Sequence, residues 1–256
     1  MKVLFTGGGT AGHINPALAA AGYLLQKEPD AQILYVGNKG GMEERLVPQA
    51  GFEIQTVHIS GFQRKLTPKN LVRNAQTVVR VFTASAEAKR IIKAFGPDVC
   101  VGTGGYVSGP VIREAAKLGI PCVIHESNAY PGVTTKMLAK SVKAVMLAVP
   151  DAKQYFDSSV NCVVTGNPVR GEVLTAQREE SRKALGLDER PVVLSFGGSL
   201  GASALNKAAA YMLAQSAKTG EYQHIHGYGS HDEKFLDECR EFGLDVEKNP
   251  QIRLLE

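Results

Sequence analysis

The residues best suited to chemistry lie near the start of the chain, in the run Gly7-Gly8-Gly9-Thr10-Ala11-Gly12-His13. A glycine-rich turn between a strand and a helix aims several main-chain N–H groups at one point, with the positive end of the helix dipole behind them. Without side chains at Gly8 and Gly9, the backbone can come close to a ligand. Such a loop is suited to holding an anion, above all a phosphate group. A bare tight turn needs fewer glycines than this run supplies. His13 adds a titratable ring to the loop and is the candidate for proton transfer. His58, His224, His226 and His231 lack such a setting and read as structural or surface residues.

Two further glycine loops follow the same plan. GTGGYVSGP at 102–110 contributes Gly104 and Gly105, and GGSLGA at 197–202 contributes Gly198 and Gly201. All three loops follow apolar strands. They should therefore lie at the carboxyl ends of sheets, where open α/β sheets bind ligands. His125-Glu126-Ser127-Asn128 and Gly166-Asn167-Pro168-Val169-Arg170 end two more strands. Two domains facing each other with these ends would enclose a cleft lined by the loops. Gly7, Gly9 and Gly12 also fit G-x-G-x-x-G, the dinucleotide fingerprint. That fingerprint expects an acid at the end of the second strand to hold a ribose. Here the strand ends Val36-Gly37-Asn38-Lys39, which disfavours a dehydrogenase. No DxD motif occurs, so neither a metal-held diphosphate nor a cofactor is expected.

These loops need a scaffold, and the pattern around them is a β–α alternation. Short apolar runs at 3–5, 33–36, 53–59, 98–102, 121–125, 144–147 and 162–166 read as strands. Helical patterns fall at 14–25, 42–50, 68–94, 107–118, 132–140 and 151–156. Asn15-Pro16 marks the predicted start of the first helix, with Asn as cap and Pro in the first turn. Strands that are apolar throughout are buried on both faces, which implies a parallel sheet between helical layers. Residues 1–166 thus form one doubly wound, Rossmann-like domain. A linker at 167–190 holds the charged helix QREESRKALG. A second domain at 191–256 repeats strand, glycine loop and helix, with further strands at 222–226 and 252–255 and a helix at 231–242. About three strands is fewer than such a domain usually has, so we expect this second domain to be incomplete.

Composition fits a globular protein: 44% hydrophobic and 21% charged over 256 residues. The run MKVLFTGGG is too short for a signal peptide, and no stretch approaches the ~18 apolar residues of a membrane span. Cys100, Cys122, Cys162 and Cys239 are widely spaced and read as thiols in a reducing compartment. The formal net charge is only +4, yet residues 62–95 carry eight basic residues against the single acid Glu87. Leu71, Val72, Ala75, Val78, Val79 and Phe82 run as an apolar stripe among these charges. An amphipathic basic segment of this kind suits an anionic membrane surface, and nucleic acid is not expected among the partners.

In order along the chain, GGGTAGH, GTGGYVSGP, HESN, GNPVR and GGSLGA resemble the MurG family of bacterial cell-wall transferases, within glycosyltransferase family 28. SGFQRKLT at 60–67 is similar to that family as well. The resemblance implies the GT-B architecture of two Rossmann-like domains and a metal-independent reaction. It makes 1–166 the acceptor-binding, membrane-associating domain and 191–256 part of a nucleotide-sugar-binding domain. The donor would be UDP-GlcNAc and the acceptor an undecaprenyl-diphosphate-linked muramyl pentapeptide. Donor contacts carried over by motif fall at Thr10, Ala11, Gly12, Asn128, Arg170 and Ser199. The family often has glycine where this chain has Ala11, which is tolerable at negative φ, and glutamine where it has Leu200. Members of that family continue past this length, so the chain alone is expected to lack most of a donor site.

The implied reaction is an inverting transfer. The muramyl 4-hydroxyl attacks C1 of N-acetylglucosamine, and UDP leaves. His13 is assigned as general base, since the helix N-terminus favours its neutral ring, and Glu126 is the second candidate. Arg170 and the N–H groups of the third loop would face the leaving diphosphate. Such an enzyme works in the cytoplasm, peripheral on the inner face of the cell membrane. Two alternatives stay open: a non-catalytic, acceptor-binding half of a split transferase, and a GT-B transferase acting on another lipid acceptor.

Overall fold

The structure is a computed structural model that describes residues 1–61, 68–198, 201–229 and 234–255, and for 68–76, 78 and 79 the backbone alone. Ser199, Leu200, His231 and the basic residues Arg64 and Lys65 lie outside the described residues, as does most of the SGFQRKLT segment. The side chains of Lys69 and Arg73 and of the apolar residues from Leu71 to Val79 lie outside them too. The chain divides into two compact units, Met1–Leu174 and Thr175–Glu256.

In the first unit seven strands form one sheet: β1 (Lys2–Thr6), β2 (Gln32–Asn38), β3 (Glu53–Val57), β4 (Val99–Gly102), β5 (Cys122–Glu126), β6 (Ala144–Leu147) and β7 (Cys162–Val164). Their order is β3-β2-β1-β4-β5-β6-β7, with every pairing parallel. Parallel neighbours need crossovers, and helices supply them: α1 (Ala11–Lys27), α2 (Glu43–Gln49), α3 (Pro68–Phe95), α4 (Ser108–Lys117) and α5 (Val133–Leu138). The sheet is buried on both sides around β1. Val3, Phe5 and Tyr35 meet Ile14, Ala17 and Leu18 of α1 on one side. Leu4, Leu34 and Val36 meet Ala84, Ala88 and Ile92 of α3 and Val111 and Ile112 of α4 on the other. Successive residues of a strand face opposite ways, so two-sided burial requires every position of β1 to be apolar or internally bonded. Edge strands escape this demand. β3 reads Glu-Ile-Gln-Thr-Val and alternates between exposed and half-buried positions before ending on the buried Val57.

The strand order reverses between β1 and β4. β2 and β3 extend the sheet to one side of β1, and β4 to β7 extend it to the other. In open parallel sheets the connections leaving such a pair run in opposite directions and open a crevice at the carboxyl ends. The first two glycine loops flank that crevice.

Two details differ from the sequence expectation. The first helix starts at Ala11, a turn before the expected Asn15-Pro16 start, so Pro16 lies inside it. Pro16 has no N–H to give the carbonyl of Gly12, so that bond of the helix's second turn is not made. The stretch Pro150–Tyr155 is a 3₁₀ helix rather than an α-helix.

The second unit contains α7 (Arg178–Ala184), after the short α6 (Gly171–Thr175) at the boundary. Then come β8 (Val192–Phe196), α8 (Ser203–Thr219), β9 (Gln223–Gly227), α9 (Phe235–Glu241) and β10 (Ile252–Leu255). The three strands are parallel in the order β10-β9-β8. Its core is Ala210, Leu213 and Ala214 of α8 against Phe235, Cys239, Leu244 and Ile252.

Candidate active site

Between β1 and β4 the two glycine loops are tied to each other. Gly8 N–H donates to the Gly104 carbonyl at 3.3 Å, and Thr103 N–H donates to the Thr6 carbonyl at 2.9 Å. The buried Thr103 hydroxyl donates to the His13 carbonyl at 2.7 Å. Tyr35, fully buried on β2, donates its hydroxyl to the Gly7 carbonyl at 2.8 Å. Burial, and secondly the charge of Glu43, push the Tyr35 phenol well above its ordinary range, so it stays a donor. The turn at Gly9 takes φ +82°, and Gly104 takes φ +108°. Both lie in the region that side chains rarely enter. Ala11 begins α1 with ordinary negative φ, as no described residue other than glycine has a positive one. The methyl group at that position is therefore unstrained.

Gly8 is buried, whereas Gly9, Thr10 and Gly12 are exposed at the mouth of the crevice. Thr10 caps α1 with extended backbone, and its carbonyl accepts from His13 and Ile14 N–H. The N–H groups of Ala11 and Gly12 precede the first of those bonds, which is the usual layout of a helix-end anion site.

His13 is half-buried, and its Nδ1 lies 3.0 Å from the Gly8 carbonyl oxygen. A carbonyl can only accept, so Nδ1 carries the proton in the neutral ring and Nε2 keeps its lone pair. Gly104 keeps the far edge of the ring clear. A β-carbon there would sit 2.7 Å from His13 Cδ2 and 3.0 Å from Nε2.

Glu126, at the end of β5, is buried and bonded on both oxygens. Oε1 accepts from Asn128 N–H at 2.9 Å and from Asn128 Nδ2 at 2.8 Å, and Oε2 accepts from Gly132 N–H at 2.9 Å. Burial pushes its acidity down, but bonds from Thr135, Asn128 and Gly132 outweigh this and hold the pKa below the usual value. So engaged, it is the weaker base of the two candidates. Asn128 itself is exposed, with its amide nitrogen held by Glu126 and its oxygen turned away from it. Next to it, His125 Nε2 lies 3.0 Å from the Gly166 carbonyl, so Nε2 donates. Burial lowers the pKa of this ring. The bond joins the HESN loop to the GNPVR turn. Arg170 is exposed, with no hydrogen bond or ion pair to its guanidinium among the described residues.

One acid was missed by sequence reasoning. The acid that the end of β2 lacks comes five residues after Asn38, as Glu43 in the first turn of α2. It is fully buried, and its Oε1 accepts from Asn38 N–H at 2.8 Å. It faces its own main chain rather than a ribose site. The local signal was the run Gly37-Asn38-Lys39-Gly40-Gly41-Met42-Glu43, in which glycines flank a helix start that brings an acid back over them.

In the second unit, Gly198 and Gly201 of the third loop take φ +86° and +78°. Below the loop lies a polar chain whose direction can be worked out. Asn206 Nδ2 donates to the Tyr228 carbonyl at 2.8 Å, so Asn206 Oδ1 is the atom 3.2 Å from His226 Nε2. That nitrogen carries the proton, and His226 Nδ1 accepts from Ser195 Oγ at 2.8 Å. Ser195 Oγ in turn accepts from His224 Nε2 at 2.8 Å. His224 Nδ1 is left as a buried acceptor with no partner among the described residues.

Residues 3–147, more than half of the chain, match the model of the glycosyltransferase family 28 N-terminal domain. The chain belongs to glycosyltransferase family 28. It is 47% identical over 214 residues to the UDP-N-acetylglucosamine–N-acetylmuramyl-(pentapeptide) pyrophosphoryl-undecaprenol N-acetylglucosamine transferase of Acetivibrio thermocellus, covering 83% of this chain and 57% of the relative. It is 43% identical over 253 residues to the protein of the same name from a Thermoanaerobacter species, covering 98% of this chain and 68% of the relative. The family 28 chain thus spans only part of these relatives. Among solved structures, MurG of Acinetobacter baumannii aligns with a TM-score of 0.64 at 31% identity, over 99% of this chain and 67% of that one. The UDP-GlcNAc 2-epimerase of Neisseria meningitidis aligns at 0.63 with 13% identity, over 100% of this chain and 72% of that one, a likeness of fold alone. The two Rossmann-like units are of the GT-B class.

Proposed function

We propose that this family 28 protein transfers N-acetylglucosamine from UDP-GlcNAc to the muramyl 4-hydroxyl of an undecaprenyl-diphosphate-linked muramyl pentapeptide, lipid I, giving lipid II for peptidoglycan synthesis. The observation that carries the reading is the His13 ring at the β1–β4 crevice, with Nδ1 held by Gly8 and Nε2 left as acceptor. The names of the relatives supply the substrates.

In this reading the 4-hydroxyl oxygen forms its bond to C1 as the bond from C1 to the UDP oxygen breaks. His13 Nε2 takes the hydroxyl proton, and the electron pair leaves with UDP. Glu126 keeps Asn128 and the start of α5 in place rather than taking the proton. The loops at Gly8–Gly9 and Gly104–Gly105 face the acceptor diphosphate. Thr10, Ala11, Gly12, Asn128, Arg170 and Ser199, with Gly198 and Gly201, serve the donor and its leaving charge. The enzyme would work on the cytoplasmic face of the membrane, seated through the basic helix α3. The 73% exposure of Phe82 on that helix fits a lipid contact.

The test is the full-length gene product carrying His13→Ala. With lipid I as acceptor, kcat should fall about 10²- to 10⁴-fold while UDP-GlcNAc binding holds. A near-normal kcat would remove His13 from the chemistry. Diacylglycerol in place of lipid I should give no product. Turnover with it would favour a different lipid acceptor.

A further inference from the structure

Glu43 stands out as a buried carboxylate that the mechanism above does not use. It is fully buried, and its Oε2 has no hydrogen-bond partner among the described residues. A buried carboxylate with an open oxygen is costly, and a fold keeps one only where the surroundings fix it. Three glycines do so here. A β-carbon on Gly8 or Gly41 would overlap the carboxylate, and one on Gly37 would overlap its Cγ. The side chain thus lies directly against three main-chain segments: the loop after β1, the end of β2 and the turn into α2.

The contacts continue from there to the site. Glu43 Oε1 accepts from Asn38 N–H, and Asn38 Oδ1 accepts from Ile59 N–H at 3.0 Å. Asn38 Nδ2 reaches the Tyr106 hydroxyl at 3.4 Å, and the Tyr106 ring packs against Gly9 and Gly61. On its upper side, Gly8 offers its carbonyl to His13 Nδ1. The Glu43 carboxylate and the His13 ring therefore act on the same residue, Gly8, from inside and outside.

We infer that Glu43 is a positioning residue for His13: by filling the space beneath Gly8 it sets the Gly8 carbonyl that holds the ring with Nδ1 protonated and Nε2 free. Glutamine has the same shape and keeps an oxygen for Asn38 N–H. Alanine removes the support, and aspartate withdraws it by one methylene. Only the catalytic consequence rests on the proposed transferase reading. The effect on the ring does not.

The test reads the ring directly in this 256-residue chain. With ¹⁵N-labelled histidine, the nitrogen shifts of His13 report its tautomer near neutral pH. Wild type should be mostly Nδ1–H. Glu43→Ala should lower the Nδ1–H to Nε2–H ratio about fivefold or more, the effect of losing one well-aligned hydrogen bond. Glu43→Gln should restore it. The signals of His224 and His226 in the second unit serve as an internal reference. If Glu43→Ala does not fold, Glu43→Asp is read in the same way. An unchanged His13 tautomer in whichever of these two variants folds overturns the inference, as does a Glu43→Gln variant as altered as Glu43→Ala. If the tautomer shifts as expected but full-length His13→Ala turns over normally, the positioning role stands and the transferase role of His13 falls.

Discussion

Lowering the pH adds a proton to a histidine that has no acceptor for it among the described residues. His224 is fully buried on β9, with Nε2 committed to Ser195 and Nδ1 without a partner among the described residues. Protonation would create a buried N–H⁺ with no acceptor among the described residues, beside His226 and the Tyr222 ring. Burial, with the neighbouring His226 as the smaller cause, lowers the pKa from 6.5 to about 4. Because the folded value is the lower one, the unfolded chain binds more protons between these limits. The stabilising effect is therefore complete above about pH 6.5 and is lost as pH falls toward 4. At ~1.4 kcal/mol per unit, the loss is at most about 3.5 kcal/mol, a large share of a small unit's stability. Hydrogen exchange of the β9 amides, which sit between β8 and β10, should show it as falling protection on acidification. His224→Gln can still donate to Ser195 and does not titrate, so its exchange should vary much less over the same range. Parallel loss in both proteins would refute the reasoning, as would an NMR titration of folded His224 near 6.5.

Other perturbations separate neighbouring effects. Tyr35→Phe removes a buried bond to the Gly7 carbonyl and should cost about 1–2 kcal/mol in urea unfolding without moving the fold. Gly104→Ala should cost at least about 1 kcal/mol from backbone strain at φ +108° and should crowd His13. In the full-length product we therefore expect it to lower kcat more than it raises KM for UDP-GlcNAc. Vesicles containing anionic lipid should sediment the chain, neutral vesicles should not, and replacing Arg80, Lys89 and Arg90 with glutamine should weaken the effect. Equal sedimentation with both vesicle types would remove the docking role of α3.

Much of the first unit could be read directly. β1 is apolar at its three central positions because it lies between two helical layers, and glycine runs mark loops whose backbone must turn sharply. Those are local properties, so the strands and the first two glycine loops followed from residue type and spacing. The start of α1 did not, because the turn at Gly9 lets the helix begin before its proline. Nor did the 3₁₀ form of 150–155, where the geometry of a single turn decides.

The candidate site divides along the same line. His13 could be singled out from sequence because its setting, a glycine loop leading into a helix, is contiguous along the chain. Its tautomer could not, since that depends on which ring nitrogen meets the Gly8 carbonyl. Glu126 stood as the second candidate base until folding brought Asn128, Gly132 and Thr135 onto its oxygens. His224 and His226 were read as structural, yet their shared hydroxyl on Ser195 comes from a strand about thirty residues away. Glu43 was invisible as part of the site, because an acid in a helix's first turn reads as a favourable charge at an exposed end. Only closure of β1 against β2 buries it beneath Gly8. Residue type and spacing specify what a short segment can do, whereas the partners of a buried polar atom come from segments that meet only when the sheet forms.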